Sequence, residues 1–465
     1  MRQRFESWVD GLKWDWSISR QRHFGVPLPV WYSKRPGEEG KILVPSKDQL
    51  PVDPTSDLPE GYEAHEVEGE RDVMDTWATS SVSPQLNTRS INEDYALDIE
   101  AHRRQFPMAL RPQAHEIIRT WAFYTIVKAL HHENKVPWSN IAISGWCLAS
   151  DGSKMSKSKG NVIDPIKLLD EYGSDPVRYW TGTSRLGQDT AMSPNTLKQG
   201  KRLVTKLWNA SKLAAMSLEA ADAAGALKPT TPKADIESGL ISHPLDQWLL
   251  GELSQTIAKA TKAFENYEYA AAQRDIEDFF WRTYCDNYLE IVKRRTRFEG
   301  QPNADEISAV HTLWHATDAL IRLFAPFIPY VTDALYEVMI GDREGAPSTV
   351  HARGMWPKAD AQASTGVFAA EGEAFVQILA AARKVKSEAQ VSMKTAANTL
   401  TISGQGAGSV AALIGETAED LKAVTSAGEI VRAETAPAGV ASVPSPDERF
   451  TVSMDLIIEE KKAEG

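Results

Sequence analysis

Hydrophobic and polar positions along this chain follow two regimes, and the change comes near residue 196. Before it, apolar residues gather in short runs. Phe106-Pro-Met-Ala-Leu-Arg-Pro112 and Asn140-Ile-Ala-Ile-Ser-Gly145 read as buried strands. Between them, 114–131 reads as a helix with Ile117, Ile118, Trp121, Tyr124 and Ile126 apolar. Strand, helix, strand and a glycine-containing loop before a further helix make a βαβ unit. Such a unit holds its ligand at the carboxyl ends of its strands. After residue 196 the spacing turns helical over 196–222, 243–268, 269–297 and 304–341. Pro229, Pro232, Pro244 and Pro302 mark the loops. This pattern predicts a helical bundle.

The flanks are less regular. Phe5, Trp8, Val9 and Leu12 have helical spacing, but Gly25, Pro27 and Pro29 forbid one long helix through the aromatic stretch Trp14–Trp31. Residues 33–70 read as a surface insertion with a short strand at 41–44. Asp72–Ser81 reads as a short buried element ending in hydroxyl residues. Residues 343–360 form an exit segment. In the tail, helices are expected near 367–388 and 409–424 and strands at 399–402 and 450–458. Ala436–Pro446, rich in Ala, Pro and Ser, reads as mobile. The expected division is 1–195, 196–345 and 346–465.

Composition excludes some classes. A length of 465 residues, 42% hydrophobic and 25% charged, is ordinary for a soluble globular protein of several domains. There is no apolar run long enough to span a membrane and no apolar core of a signal peptide after Met1. The expected location is therefore cytoplasmic. Two cysteines, Cys147 and Cys285, allow neither a disulfide framework nor an all-cysteine zinc site. A net charge of −12 argues against nucleic-acid binding through the bulk field, though local basic patches can still supply it.

The chemistry concentrates in Gly152-Ser-Lys154-Met-Ser-Lys157-Ser-Lys159-Gly160. Lysines alternate with small hydroxyl residues, and glycines flank them. Lys154 and Lys157 can meet a polyphosphate as point charges, while hydroxyls and loop N–H groups add hydrogen bonds. A solvated basic turn is the plain alternative. The next residues weigh against it. Asp164-Pro165 predicts a capped helix start, Gly173 a stop, and Asp175-Pro176 a second start by the same device.

Lys154-Met155-Ser156-Lys157-Ser158, with its extension through Gly160-Asn161 and Asp164-Pro165, resembles the signature loop of the class I aminoacyl-tRNA synthetases. Trp16-Ser-Ile-Ser-Arg-Gln-Arg with Gly25-Val-Pro is similar to a segment shared by the valyl, isoleucyl and leucyl branches. Asp75-Thr-Trp77-Ala-Thr-Ser-Ser is similar to the valyl branch, and Arg111-Pro-Gln-Ala-His115-Glu116 to its archaeal-like side. Phe279–Glu290 and Ala325–Tyr336 resemble the anticodon-binding bundle. The likeness runs from about residue 3 to 357.

The resemblance implies the C-terminal half of a Rossmann-type α/β catalytic domain, then an all-α anticodon-binding bundle and a small α/β tail. It implies ATP-dependent formation of valyl-adenylate and transfer of valine to its tRNA. ATP, with Mg2+, valine and tRNA(Val) are the implied partners of a monomer. Lys154 and Lys157 would be catalytic, stabilising charge on the departing pyrophosphate. Met155, Ser156, Lys157, Ser158, Glu116 and Gly145 would bind ATP, and Trp16 and Trp77 would wall the amino-acid pocket. Ordinary core packing is the alternative for both tryptophans.

Lys293, Arg294, Arg295 and Arg297 would contact tRNA phosphates, against the alternative of simple charge complementarity at a helix C-terminus. Two departures stand out. Ala114-His115-Glu116 replaces a Gly-x-Asp near the ribose, and Ser33 stands where a cysteine zinc knuckle often begins, so no metal is expected there. None of the ten histidines sits in a His-x-Gly-His, the second class I signature, and the editing domain is also missing. The expectation is a C-terminal portion that needs an N-terminal half for catalysis. A non-catalytic tRNA-binding fragment and an isoleucyl or leucyl relative are the alternatives.

Overall fold

The structure, a computed structural model, describes residues 1–88, 98–297, 300–341, 346–360 and 368–458. The chain divides into two compact units. One is Met1–Leu148 with Arg185–Ala191, the other Ala149–Ser184 with Met192–Gly465. The lysine loop, read above as part of 1–195, thus folds with the helical residues.

In the first unit, the strands Met108–Ala114 and Trp138–Ser144 pair in parallel, from Met108 opposite Trp138 to Ala114 opposite Ser144. The helical connection between them completes the expected βαβ unit. It opens as a 3-10 turn at His115–Ile117, widens at Ile118–Ala122 and becomes an α-helix at Phe123–Glu133. Asn134, with φ +52°, ends it in the left-handed cap that asparagine tolerates. Ile118, Ala122, Ala129, Phe106 and Trp138 are buried around this unit. The insertion is a three-stranded antiparallel sheet of Ile42–Leu43, Trp31–Ser33 and Val67–Gly69, in that order. Trp31 anchors it: the ring is buried and its indole N–H donates to the Asp57 carbonyl at 2.9 Å.

The second unit holds the bundle. Pro194–Ala223 is capped by Ser193, Pro244–Glu265 by His243, and Ala304–Phe324 by a reciprocal Asn303/Glu306 box. A continuous helical run starts at Tyr269 and reaches Arg294. One expectation is corrected. The stretch 304–341 is not one helix, because it stops at Phe324 and restarts at Pro329–Tyr336. Pro326 and Pro329 each lack the N–H that a continuing helix would need.

The tail is a four-stranded sheet in the order Ala427–Ala433, Ala397–Ser403, Thr451–Leu456, Ala441–Pro444. The first pair is parallel and the other two are antiparallel. A second correction falls here. The composition of Ala436–Pro446 predicts a mobile segment, yet Ala441–Pro444 pairs residue by residue with Thr451–Met454. It is a short edge strand with one buried side chain, Val443, and its proline lies at its end, where a ladder tolerates it. The helix near 409–424 splits into Ala407–Leu413 and Ala418–Thr425. Leu245 and Ile291 of the bundle share one core with Phe375, Leu379, Leu400, Ile402 and Val452 of the tail.

Candidate functional site

The lysine loop owes its shape to one asparagine. The Asn161 side chain accepts from the Ser156 N–H at 2.9 Å and donates to Ser153 Oγ at 2.8 Å and to the Lys154 carbonyl at 3.2 Å. Ser156 caps the 3-10 turn Lys157–Lys159 by accepting from the Lys159 N–H at 3.3 Å. Gly152 (φ +79°) and Gly160 (φ +65°) take left-handed bends that side chains resist. Within this clamp Met155 and Ser156 turn partly inward, and the Met155 sulfur accepts from the Ile163 N–H at 3.5 Å. Lys154, Lys157, Ser158 and Lys159 are exposed. The arrangement presents ammonium groups outward from a backbone held by side-chain bonds, which suits a polyphosphate ligand.

Beyond the loop, Asp164 accepts from the Ile166 N–H at 3.0 Å and caps Pro165–Tyr172, as the sequence predicts. Gly173 ends that helix at φ +88°. Asp175 departs from expectation. It does not cap its own helix, Ser174–Gly182, where Gly173 holds the cap position. Its buried carboxylate instead accepts from the Tyr330 and Val331 N–H groups at 3.1 and 2.8 Å, capping the helix Pro329–Tyr336. The loop's exit is thereby tied to the bundle.

In the first unit, the two tryptophans lie on segments joined directly. Ser19–Arg20 pairs antiparallel with Val73–Met74, and the Asp75 N–H donates to the Ile18 carbonyl at 2.7 Å. Trp16 stacks on Tyr124 at 3.9 Å between centroids, and the Arg20 guanidinium lies 5.4 Å from the Trp16 ring. Arg20 Nε meets the Asp75 carboxylate at 2.8 Å, and Asp75 accepts from the Trp77 N–H at 2.8 Å. Burial, helped by Asp75, pushes the Tyr124 hydroxyl up to about 12. The Trp77 helix ends under two further donors. Lys128 Nζ reaches the Ala78 carbonyl at 2.8 Å, and the Trp121 indole reaches Ser80 at 3.0 Å. Both tryptophan rings are half-buried, so each keeps surface available to a ligand.

Glu116 and Gly145 follow the carboxyl ends of the two parallel strands, where an α/β ligand belongs. Glu116 is exposed in the first turn after its strand. At Gly145 a Cβ would lie 2.1 Å from the Gln188 carbonyl oxygen, so only glycine lets that backbone approach. Arg111, on the first of these strands, is a buried cation that no local sequence pattern marks. It is buried with its guanidinium 3.2 Å from the Trp121 ring centroid, and burial lowers it to about 10. Its Nε lacks a hydrogen-bond partner among the described residues.

The basic run near 293 divides in two. Lys293, Arg294 and Arg297 line a cleft of about 710 Å³ against the tail. Arg295 does not join them, which corrects its expected role as a phosphate contact. Its side chain is 1% exposed, and its guanidinium forks onto Asp246 at 2.7 and 2.8 Å and reaches Asp420 at 2.9 Å. Two buried carboxylates hold it inward, and sequence spacing alone could not reveal partners 49 and 125 positions away. Among the described residues no group of three or more His, Cys, Asp or Glu is placed to hold a metal, and no helix is long and apolar enough to cross a membrane.

Residues 1–193 match the family model described as tRNA synthetases class I (I, L, M and V), and residues 246–401 match that of the anticodon-binding domain of tRNA ligase. The chain is 50% identical over 435 residues to the valine–tRNA ligase of Rickettsia felis, covering 92% of this chain and 48% of that one. The Rickettsia conorii valine–tRNA ligase is also 50% identical, with 92% and 51% covered. The chain therefore spans about half the length of these curated relatives. The ternary complex of Agrobacterium radiobacter K84 agnB2 LeuRS with tRNA and LeuAMS superposes with a TM-score of 0.60 at 20% identity. It covers 76% of this chain and 43% of that one, a likeness of fold.

Proposed function

Because the chain belongs to the class I tRNA synthetases, we propose that it forms the lysine-loop half of a valine-activating site, together with the bundle that receives the tRNA. The reaction is attack of the valine carboxylate on the ATP α-phosphorus, release of pyrophosphate, and transfer of valine from the adenylate to tRNA(Val). The observation that carries this reading is the Asn161 clamp, which fixes the backbone of a turn on which Lys154 and Lys157 are exposed.

Negative charge builds on the β- and γ-phosphates as pyrophosphate leaves. Two ammonium groups brought to those oxygens lower the barrier, provided they act more strongly on the transition state than on bound ATP. Ser156, Ser158 and the Met155 backbone add the remaining loop contacts, and Glu116 and Gly145 supply the nucleoside side. Mg2+ brought in with ATP would share the phosphate charge. Trp16 and Trp77 offer rigid apolar surface to a small branched side chain that has no polar group to read. Lys293, Arg294 and Arg297 meet tRNA phosphates. On this reading the protein is a cytoplasmic monomer, and the residues that complete the ATP site lie in the half of the relatives' length that this chain does not span.

Valine-dependent exchange of pyrophosphate into ATP tests the proposal. The chain alone should give no exchange. Adding a polypeptide that corresponds to the other half of the Rickettsia relatives should restore exchange with valine and far less with isoleucine. Exchange by the isolated chain, or preference for isoleucine, would contradict it. The second reading, a tRNA-binding fragment without catalysis, rests on the basic cleft beside the bundle. It predicts tRNA binding with no exchange under either condition.

A further inference from the structure

One side of a single helical connection touches the segments of both tryptophans. Trp121, Tyr124 and Lys128 stand three and four residues apart, a spacing that a helix brings to one side. Tyr124 stacks on Trp16 with ring centroids 3.9 Å apart. Lys128 Nζ donates to the Ala78 carbonyl at 2.8 Å, and the Trp121 indole N–H donates to the Ser80 carbonyl at 3.0 Å. Behind Trp121, the guanidinium of Arg111 lies 3.2 Å from the ring centroid, which ties this side of the connection to the strand Met108–Ala114.

The helix that carries Trp77, Thr76–Ser80, has five residues and cannot hold itself. Its first turn is clipped by Asp75, which accepts from the Trp77 N–H and meets Arg20 at 2.8 Å. Its last carbonyls have no following turn to bond. Ser81 Oγ shares the Ala78 carbonyl at 2.7 Å, but Ser81 belongs to the same short segment. Lys128 and Trp121 are what fix that end by hydrogen bonds to the rest of the unit. Lys128 is half-buried, and no carboxylate among the described residues pairs with it. Burial pulls its ammonium below the ordinary value. A cation drawn out of water toward a neutral carbonyl adds little stability, because desolvation offsets the bond. What the contact supplies is position.

We propose that Lys128 is a positioning residue for amino-acid selection. It holds the Trp77 helix in a fixed place relative to the Tyr124–Trp16 stack and so sets the width of the pocket that the two tryptophans wall. The proposal rests on the reading of Trp16 and Trp77 as pocket walls given above. Isoleucine exceeds valine by one methylene, so a wall free to move admits it, and a loosely supported site loses selectivity.

Lys128→Met keeps the length of the side chain, removes the donor and replaces an unpaired half-buried cation by an apolar group, so the unit should keep its fold. The test is pyrophosphate exchange by the chain together with the polypeptide that corresponds to the other half of the Rickettsia relatives. The variant should raise the KM for valine about fivefold or more, with kcat within about twofold. The preference for valine over isoleucine in kcat/KM should fall about fivefold or more. A mere loss of folded enzyme lowers the apparent kcat and moves neither KM nor preference. Trp121→Phe removes the second donor and keeps a ring against Arg111. It should shift KM and preference in the same direction, and it carries the test should Lys128→Met fail to fold. Unchanged KM and preference in these variants, with Trp77→Ala still altering valine affinity, would overturn the positioning role and leave the pocket reading standing. Unchanged valine affinity in Trp77→Ala, or no valine-dependent exchange by the parent pair, would overturn both.

Discussion

Trp77 shows how a single side chain is placed by its neighbours. Its N–H is held by Asp75, Asp75 is held by Arg20, and Arg20 lies over Trp16. Two rings from segments about sixty positions apart are thus referenced to one ion pair. If Trp77 walls the amino-acid pocket as proposed, Trp77→Ala in the enzyme with both halves present should remove pocket surface while the Asp75 clip stays formed. The expected result is weaker valine affinity and a broader choice among small amino acids, read by valine and threonine titrations. Unchanged valine affinity would rule out a pocket role. At this scale the sequence was informative where a residue works locally. Asp164 and Pro165 could be read as a cap because their partners lie within the next turn. Asp175 carries the same local pattern and caps a helix 155 residues away. Arg295 sits in a basic run whose other members face solvent, and its two carboxylate partners are remote in sequence.

Elements were legible wherever their period was long and clean. The bundle helices Pro194–Ala223 and Pro244–Glu265 begin and end close to their expected bounds, and the βαβ unit appears as a parallel pair. The misses came from short elements and from proline. The break between Phe324 and Pro329 was hidden by apolar residues that continue through it at helical spacing. The strands Ala427–Ala433 and Ala441–Pro444 are edges of the tail sheet, so few of their side chains are buried and the alternation is faint. The contact of tail and bundle was not legible, because both the Arg295 network and the apolar core that Leu245 and Ile291 share with the tail join residues remote in sequence. Arg295→Met strands two buried carboxylates and should cost about 3–5 kcal/mol in urea unfolding. Lys293→Ala, which breaks an exposed pair with Glu290, should cost no more than about 1 kcal/mol. Equal losses in the two variants would show that the network contributes little to holding tail and bundle together.

For the whole molecule, pH reports on the buried acids. Burial alone would raise the Asp235 carboxyl, but hydrogen bonds from His315, His311 and Thr230 outweigh it and hold it well below the usual range. Asp246 is lowered in the same way, against burial, by Arg295. A carboxylate whose folded value is depressed contributes stability that is complete above its ordinary value, about 4, and is lost as pH falls below it. His243 is lowered by burial, so its contribution begins to fade earlier, as pH drops through about 6.5. Acid unfolding should therefore start as a shallow loss near the imidazole range and steepen below about pH 4. Asp235→Asn should flatten the steep limb, and an unaltered limb would mean that this carboxylate is not depressed.

The remaining claim at this scale is that the lysine loop performs chemistry in a complete enzyme, and Lys157 is the residue on which to test it. In the valine enzyme with both halves present, Lys157→Ala should slow valine-dependent pyrophosphate exchange by about a hundredfold or more. The dissociation constant for valine should stay within about twofold, because the lost interaction belongs to the transition state. Equal losses in exchange rate and valine affinity, or an unchanged rate, would contradict the account.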